Sequence, residues 1–372
     1  MRAITRLGVA ATAAVAALCI VGAPAFAAPT FQAVFVQTDN LKGNQIVVYD
    51  RSSEGTLAQV GDYDTGGLGG QLAGSVVDHL ASQGSLAYDR GDGLLYAVNA
   101  GSNTVSVFAV LGDKLALRQV IGSGGSYPVS IAVNSGVVYV LNGLNGGSLQ
   151  GFAVSSGRLV PIPGSTRALD LATSEAPQFT HTPGMVAFSP DGSQLLVTTK
   201  AGGESVDVFA VYPGGGLSAT PVVNPLPGTV PFAVSFDRRG HVILAEAAGF
   251  LASLELRESG ALEQLDAVPS EQAATCWVAR AHGHFYTSNA GSGSLSTFSS
   301  GFGGQLLTLL GDTPTGGGTV DAAATPEGGF LYVQTGAEGA VDEFAIGAQG
   351  ALSEVGSVTV PDAVGGEGIV AG

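Results

Sequence analysis

From residue 31 onward, short apolar runs alternate with turns of glycine, asparagine and serine. This is the pattern of many strands joined by tight connections. One unit recurs: an apolar strand, a polar turn, a second strand ending near an aromatic residue, and a glycine turn before leucine. Its clearest copy runs Leu95-Tyr-Ala-Val-Asn-Ala-Gly-Ser-Asn-Thr-Val-Ser-Val-Phe108, with Leu115 beyond it. The aromatic position, or its substitute, falls at Tyr49, Phe108, Phe152, Phe209, Leu254, Phe298 and Phe344. Successive gaps are 59, 44, 57, 45, 44 and 46 residues, so there are seven units. Four of those gaps match a four-stranded propeller blade, and the two long ones imply insertions around residues 64–82 and 165–182.

A further strand precedes each unit, beginning near Gln83, Pro128, Pro183, Pro231 and Ala274 in the copies that align best. We label the four strands of a unit A to D, with A innermost and the aromatic position on C. Blades stacked face to face bury both faces of each sheet, which blurs the alternation: Val105, Val107, Phe108 and Val110 are all apolar. The first unit lacks strand A; residues 31–38 read as B and 46–50 as C. The missing strand appears at the far end, over residues 368–372. A C-terminal strand that completes the first blade closes the ring and removes two open edges. The fold class is therefore all-β, a single seven-bladed β-propeller over residues 28–372.

The first 27 residues do not fit that pattern. Arg2 and Arg6 precede an apolar run that ends at Ala25-Phe26-Ala27, the layout of a secretory signal peptide cleaved before Ala28. Export to a periplasmic or extracellular location is the expectation, with no membrane span in the mature chain. Losing two arginines and no acid takes the formal charge from −16 to −18. Only Lys42, Lys114 and Lys200 supply lysine, so the surface repels phosphate backbones and nucleic acid is excluded as a partner. Cys276 is the one cysteine after cleavage, so stability must come from packing and not from a disulfide.

Several stretches carry a likeness. Ser82-Gln-Gly-Ser-Leu86, Val98-Asn-Ala-Gly-Ser-Asn103, Ser123-Gly-Gly-Ser-Tyr-Pro128, Phe188-Ser-Pro-Asp-Gly192 and Cys276-Trp277 resemble the lactonase-type propeller family of 6-phosphogluconolactonases and 3-carboxy-cis,cis-muconate cyclases. The resemblance spans the mature chain and implies lactone hydrolysis without a metal or other cofactor. Catalytic members carry a His-x-His stretch just before the Phe-Ser-Pro-Asp-Gly motif. Here those positions are Thr182 and Gly184, with His181 alongside, so no catalytic set transfers residue by residue.

Topology indicates where chemistry belongs. The D–A and B–C loops share one rim of the channel, and they carry Lys42, His79, His181, Lys200, Glu246, Asp321 and Glu367. His181, in an insertion loop, is either a general base for water or a solvated histidine. Lys200 ends strand B of the fourth unit, and Glu246 holds the matching place in the fifth. Lys200 either steadies an oxyanion or pairs with Glu246 between blades. Asp321 stands on strand A where other units have Ser85, Ser130 and Cys276, and is expected to accept backbone hydrogen bonds. His79 is a second loop histidine. Trp277, the single tryptophan, serves as core or as a stacking platform. Cys276 reads as a buried inert thiol, and His282-Gly-His284 as a turn and not a metal pair.

The leading expectation is an exported hydrolase of sugar or acid lactones. Its catalytic candidates are His181, Lys200 and Glu246, and its substrate-binding candidates are His79, Asp321 and Trp277. The alternative is a non-catalytic propeller that binds an unknown ligand or protein through its rim.

Overall fold

The computed structural model describes Met1, residues 32–301 and residues 307–372. Apart from Met1, the expected signal peptide lies outside these residues. Among the described residues, no helix is long and apolar enough to cross a membrane.

Seven antiparallel sheets, each built on a path of four strands, follow one another along the chain. Blade 2 shows the plan: Leu86–Asp89, Leu94–Asn99, Thr104–Leu111 and Lys114–Gly122 are its strands A to D. Strand B is buried at every position and strand D alternates along much of its length. The inner strands lie between neighbouring blades, whereas the outermost faces water on one side.

The recurring aromatic position has a structural meaning beyond packing. In blades 1, 2, 5, 6 and 7 the C–D pairing slips by one residue just before it, at Val48/Tyr49, Val107/Phe108, Ser253/Leu254, Thr297/Phe298 and Glu343/Phe344. A bulge increases local twist. The residue that follows the slip is buried in each of these blades: Tyr49, Phe108, Leu254, Phe298 and Phe344.

Ring closure is as the repeat predicts. Ile369–Ala371 pairs antiparallel with Ala33–Gln37, with Phe35 opposite Val370. Gln37 N donates to Gly368 O at 2.8 Å. Gly368 has φ +108°, and a Cβ there would collide with Ser85, so only glycine leads the chain into this closing strand.

Both predicted insertions exist and fold onto the same rim. The first follows strand D of blade 1, Leu57–Asp64, and buries Leu72, Leu80 and Ala81. The second contains a helical turn, Gln178–His181. They touch each other: Ala73 N donates to the Gln178 carboxamide at 3.0 Å.

Candidate functional site

Residues 78–85, the end of the first insertion, cross the mouth of the channel and bond to strands on several sides of it. His79 N donates to Gly365 O at 2.8 Å. The Ser82 hydroxyl donates to Val129 O at 2.7 Å, and Trp277 Nε1 donates to Ser82 O at 2.5 Å. Gln83 closes a two-way bridge with blade 6, donating to Val278 O and accepting from Val278 N, each at 3.0 Å. Irregular backbone is tolerated at this depth because its polar groups are paired.

Beside this plug lies a pocket of about 560 Å3. Its walls come from the first insertion (Val76, Val77, Asp78), the second (Phe179, Thr180) and the upper edges of blades 4 to 6 (Lys200, Phe232, Trp277 among them). Phe232 and Trp277 meet with ring centroids 4.7 Å apart. Three non-glycine lining residues hold left-handed backbone: Lys200 (φ 48°), Val230 (φ 53°) and Ala274 (φ 57°). For β-branched Val230 this is a costly conformation. Such strain gathers at ligand sites and is maintained by the packing around it.

Lys200 is fully buried. It donates to Ala81 O and Phe179 O at 2.6 Å and to the Thr182 hydroxyl at 3.0 Å, and its ammonium stands 5.2 Å from the centroid of the Phe232 ring. All three of its protons are engaged. The lysine thus staples both insertions to the top of blade 4. Burial lowers its pKa to about 8, opposed by the charges of Asp78 and Glu367.

Asp78 is the second charged group in the pocket wall. Burial raises its pKa to about 7, and the Lys200 charge counters part of that rise. A carboxylate of this kind changes protonation near neutrality, as a general base should. Cys276 lines the same wall, but burial pushes its thiol pKa far up, which makes it a poor nucleophile.

On the other side of the plug, acids are sealed in. Glu367 receives hydrogen bonds from the Ser82 hydroxyl and, at 3.4 Å, from Ser82 N. Glu367 N in turn donates to Asp39 Oδ2 at 3.0 Å, and Gln37 Nε2 to Asp39 Oδ1 at 2.5 Å. Burial raises Asp39 and Asp321 to about 7. Glu367 is raised well above its ordinary range by burial and by neighbouring carboxylates.

The structure brings Lys200 and Trp277 to the pocket. Asp321 lies on the sealed side and accepts from Ala322 N at 2.9 Å, the backbone role expected of it. The His79 ring packs against Gly365, and burial lowers its pKa. The His181 ring turns to Pro177 O (3.0 Å) and Glu175 (3.6 Å) and does not line the pocket. Glu246 is buried near Thr229, raised to about 7 by desolvation, and is also absent from the pocket wall. The charge that faces Lys200 comes from Asp78 and Glu367 and not from Glu246. His282 and Gly283 form the turn between strands A and B of blade 6, and among the described residues no cluster of three or more potential metal ligands occurs.

Sequence reasoning passed over Asp78. The available signal was an acid set between Val76-Val77 and Leu80-Ala81, an apolar setting unusual for a charged residue in a loop.

Comparison with known proteins adds two findings. The family model described as "Lactonase, 7-bladed beta-propeller" matches residues 70–365. Among solved structures, the periplasmic gluconolactonase of Pseudomonas aeruginosa is similar with a TM-score of 0.72 at 18% identity, covering 92% of this chain and 99% of that one. A Lactobacillus plantarum protein gives 0.73 at 21% identity over 92% and 99% of the two chains. A candidate 6-phosphogluconolactonase from Bacteroides fragilis gives 0.70 at 18% identity over 92% and 98%. At such identities these structures establish the fold alone. No curated protein matches the chain.

Proposed function

From the premise that the chain belongs to the seven-bladed β-propeller lactonase family, we propose that it hydrolyses a lactone in the pocket over blades 4 to 6, with Asp78 as general base. The observation that carries this reading is one carboxylate, buried beside Lys200, set in an otherwise apolar pocket.

In the reaction, water held against Asp78 attacks the lactone carbonyl carbon while the carboxylate takes its proton. A C–O bond forms and the carbonyl electrons move onto oxygen. As the tetrahedral intermediate collapses, the ring C–O bond breaks, and Asp78 returns the proton to the departing alkoxide. The products are a carboxylate and an alcohol, with one further proton released to solvent. Lys200 contributes charge and not a free N–H, since its donors are engaged by the loops. Its field is strong because the ammonium itself is fully buried.

The test is Asp78→Asn on a lactone that the parent enzyme opens. A loss in kcat/KM of about 100- to 10,000-fold is expected for removing a general base, in a variant that still folds. In the parent, kcat/KM should climb with pH through about 7, because the base acts only when ionised. Retained turnover in the variant would place the chemistry elsewhere. A parent inert on every lactone would favour a ligand-binding propeller. We further propose that the protein is exported after loss of residues 1–27; N-terminal sequencing of secreted protein should read Ala28 first.

A further inference from the structure

The lining of the pocket restricts the chemistry it can hold. It carries two charged side chains, Asp78 and Lys200; apart from Thr180, Cys276 and two glycines, the rest of its lining is apolar. The Thr180 hydroxyl is engaged with Pro177 O at 2.8 Å, and the ammonium of Lys200 is engaged three times over. No arginine lines the wall. A phosphate or carboxylate entering it would therefore find no unengaged cationic donor, and would meet Asp78 with Glu367 in electrostatic reach of the same lysine. A sugar lactone would bring several hydroxyls to a surface with few partners, and each unpaired hydroxyl weakens binding. At the mouth, Val76 is 78% exposed, and Phe179 lines the adjoining wall. An exposed apolar side chain beside an apolar cavity is a surface that a hydrocarbon chain covers favourably.

We propose that this pocket takes an uncharged lactone bearing an alkyl chain, its ring beside Asp78 and its chain along Val76 and Phe179. This substrate class rests on the hydrolase reading above only for the presence of the lactone ring.

Trp277 allows binding to be read apart from turnover, because it is the single tryptophan and lines the pocket. The intact protein is titrated with δ-lactones whose side chain lengthens from methyl to heptyl, with glucono-δ-lactone and with 6-phosphogluconolactone. Trp277 emission gives Kd, and ring opening is followed in parallel. Each added methylene should tighten Kd by about fourfold until the pocket is full. Val76→Asp, at an exposed position, should weaken the longest lactone about tenfold more than the shortest.

Chain-dependent binding with no ring opening would keep the substrate class and overturn the hydrolase reading. Efficient opening of the gluconolactone or its phosphate, with no gain from alkyl chains, would do the reverse. Emission unmoved by every alkyl lactone would overturn the proposal.

Discussion

Two sides of one plug face each other across the channel mouth. Toward blades 1 and 7, Glu367 and Asp39 are tied to Ser82 and Gln37, and Asp321 to backbone. Toward blades 4 to 6, Asp78 and Lys200 border an apolar pocket of about 560 Å3. Both sides bury acids and raise their pKa values. They differ in access: the first keeps its acids in hydrogen bonds that organise the ring closure, and the second leaves one acid at a cavity wall. Burial alone does not make a carboxylate catalytic; it must also face space that a substrate can fill.

If that division holds, changes on the sealed side alter folding and changes on the open side alter turnover. The largest effect is expected from deleting residues 366–372. This removes the closing strand together with Glu367, exposes the edge of Ala33–Gln37 and should give aggregated protein. A deletion variant that melts like the parent would mean that the ring closes some other way.

Lys200→Met comes next, at the seam of the two sides. It leaves Ala81 O and Phe179 O without their donor and Asp78 without its counter-charge. A loss of about 3 kcal/mol in unfolding free energy is expected, the cost of breaking a buried charged network. The alkaline shift is the sharper readout: without the lysine the Asp78 pKa rises, so the kcat/KM profile should move to higher pH. An unmoved profile would separate Asp78 from the chemistry.

Glu367→Gln tests the sealed side through a residue whose charge also reaches Lys200. The folded-state pKa values of Asp39, Asp321 and Glu367 are raised, so the stability each contributes is full below about 4 and is lost as pH rises, through about 7 for Asp39 and Asp321. The parent should thus melt at a lower temperature at pH 8 than at pH 5. The glutamine variant should match the parent at pH 5, melt higher at pH 8 and keep kcat/KM within about threefold. A large loss of turnover here would erase the division between the sides.

The smallest effect is expected from His181→Ala, since its ring faces Glu175 and Pro177 O. Turnover should stay within about twofold, and a larger fall would return this histidine to the site.

How much was legible follows from how each feature is encoded. Tyr49, Phe108, Phe298 and Phe344 repeat at blade spacing, and each blade strand has its own apolar pattern, so the seven blades and the C-terminal closure could be read directly. Lys200 stood out because lysine is rare in this chain. Asp78 did not, since its setting is made by groups far away in sequence. Ser82 meets Glu367 across 285 positions, Lys200 reaches Ala81 across 119 and Trp277 reaches Ser82 across 195.

The chain by itself determines the number of blades, their strands, the closing strand and the acidic surface, because these follow from local period and composition. Only the tertiary structure decided that the first insertion plugs the channel, that Lys200 donates to two loop carbonyls and the Thr182 hydroxyl, and that Asp78 and not His181 faces a cavity. A loop's path depends on which distant backbone groups can satisfy its own, and that pairing has no periodic trace in the residues that form it.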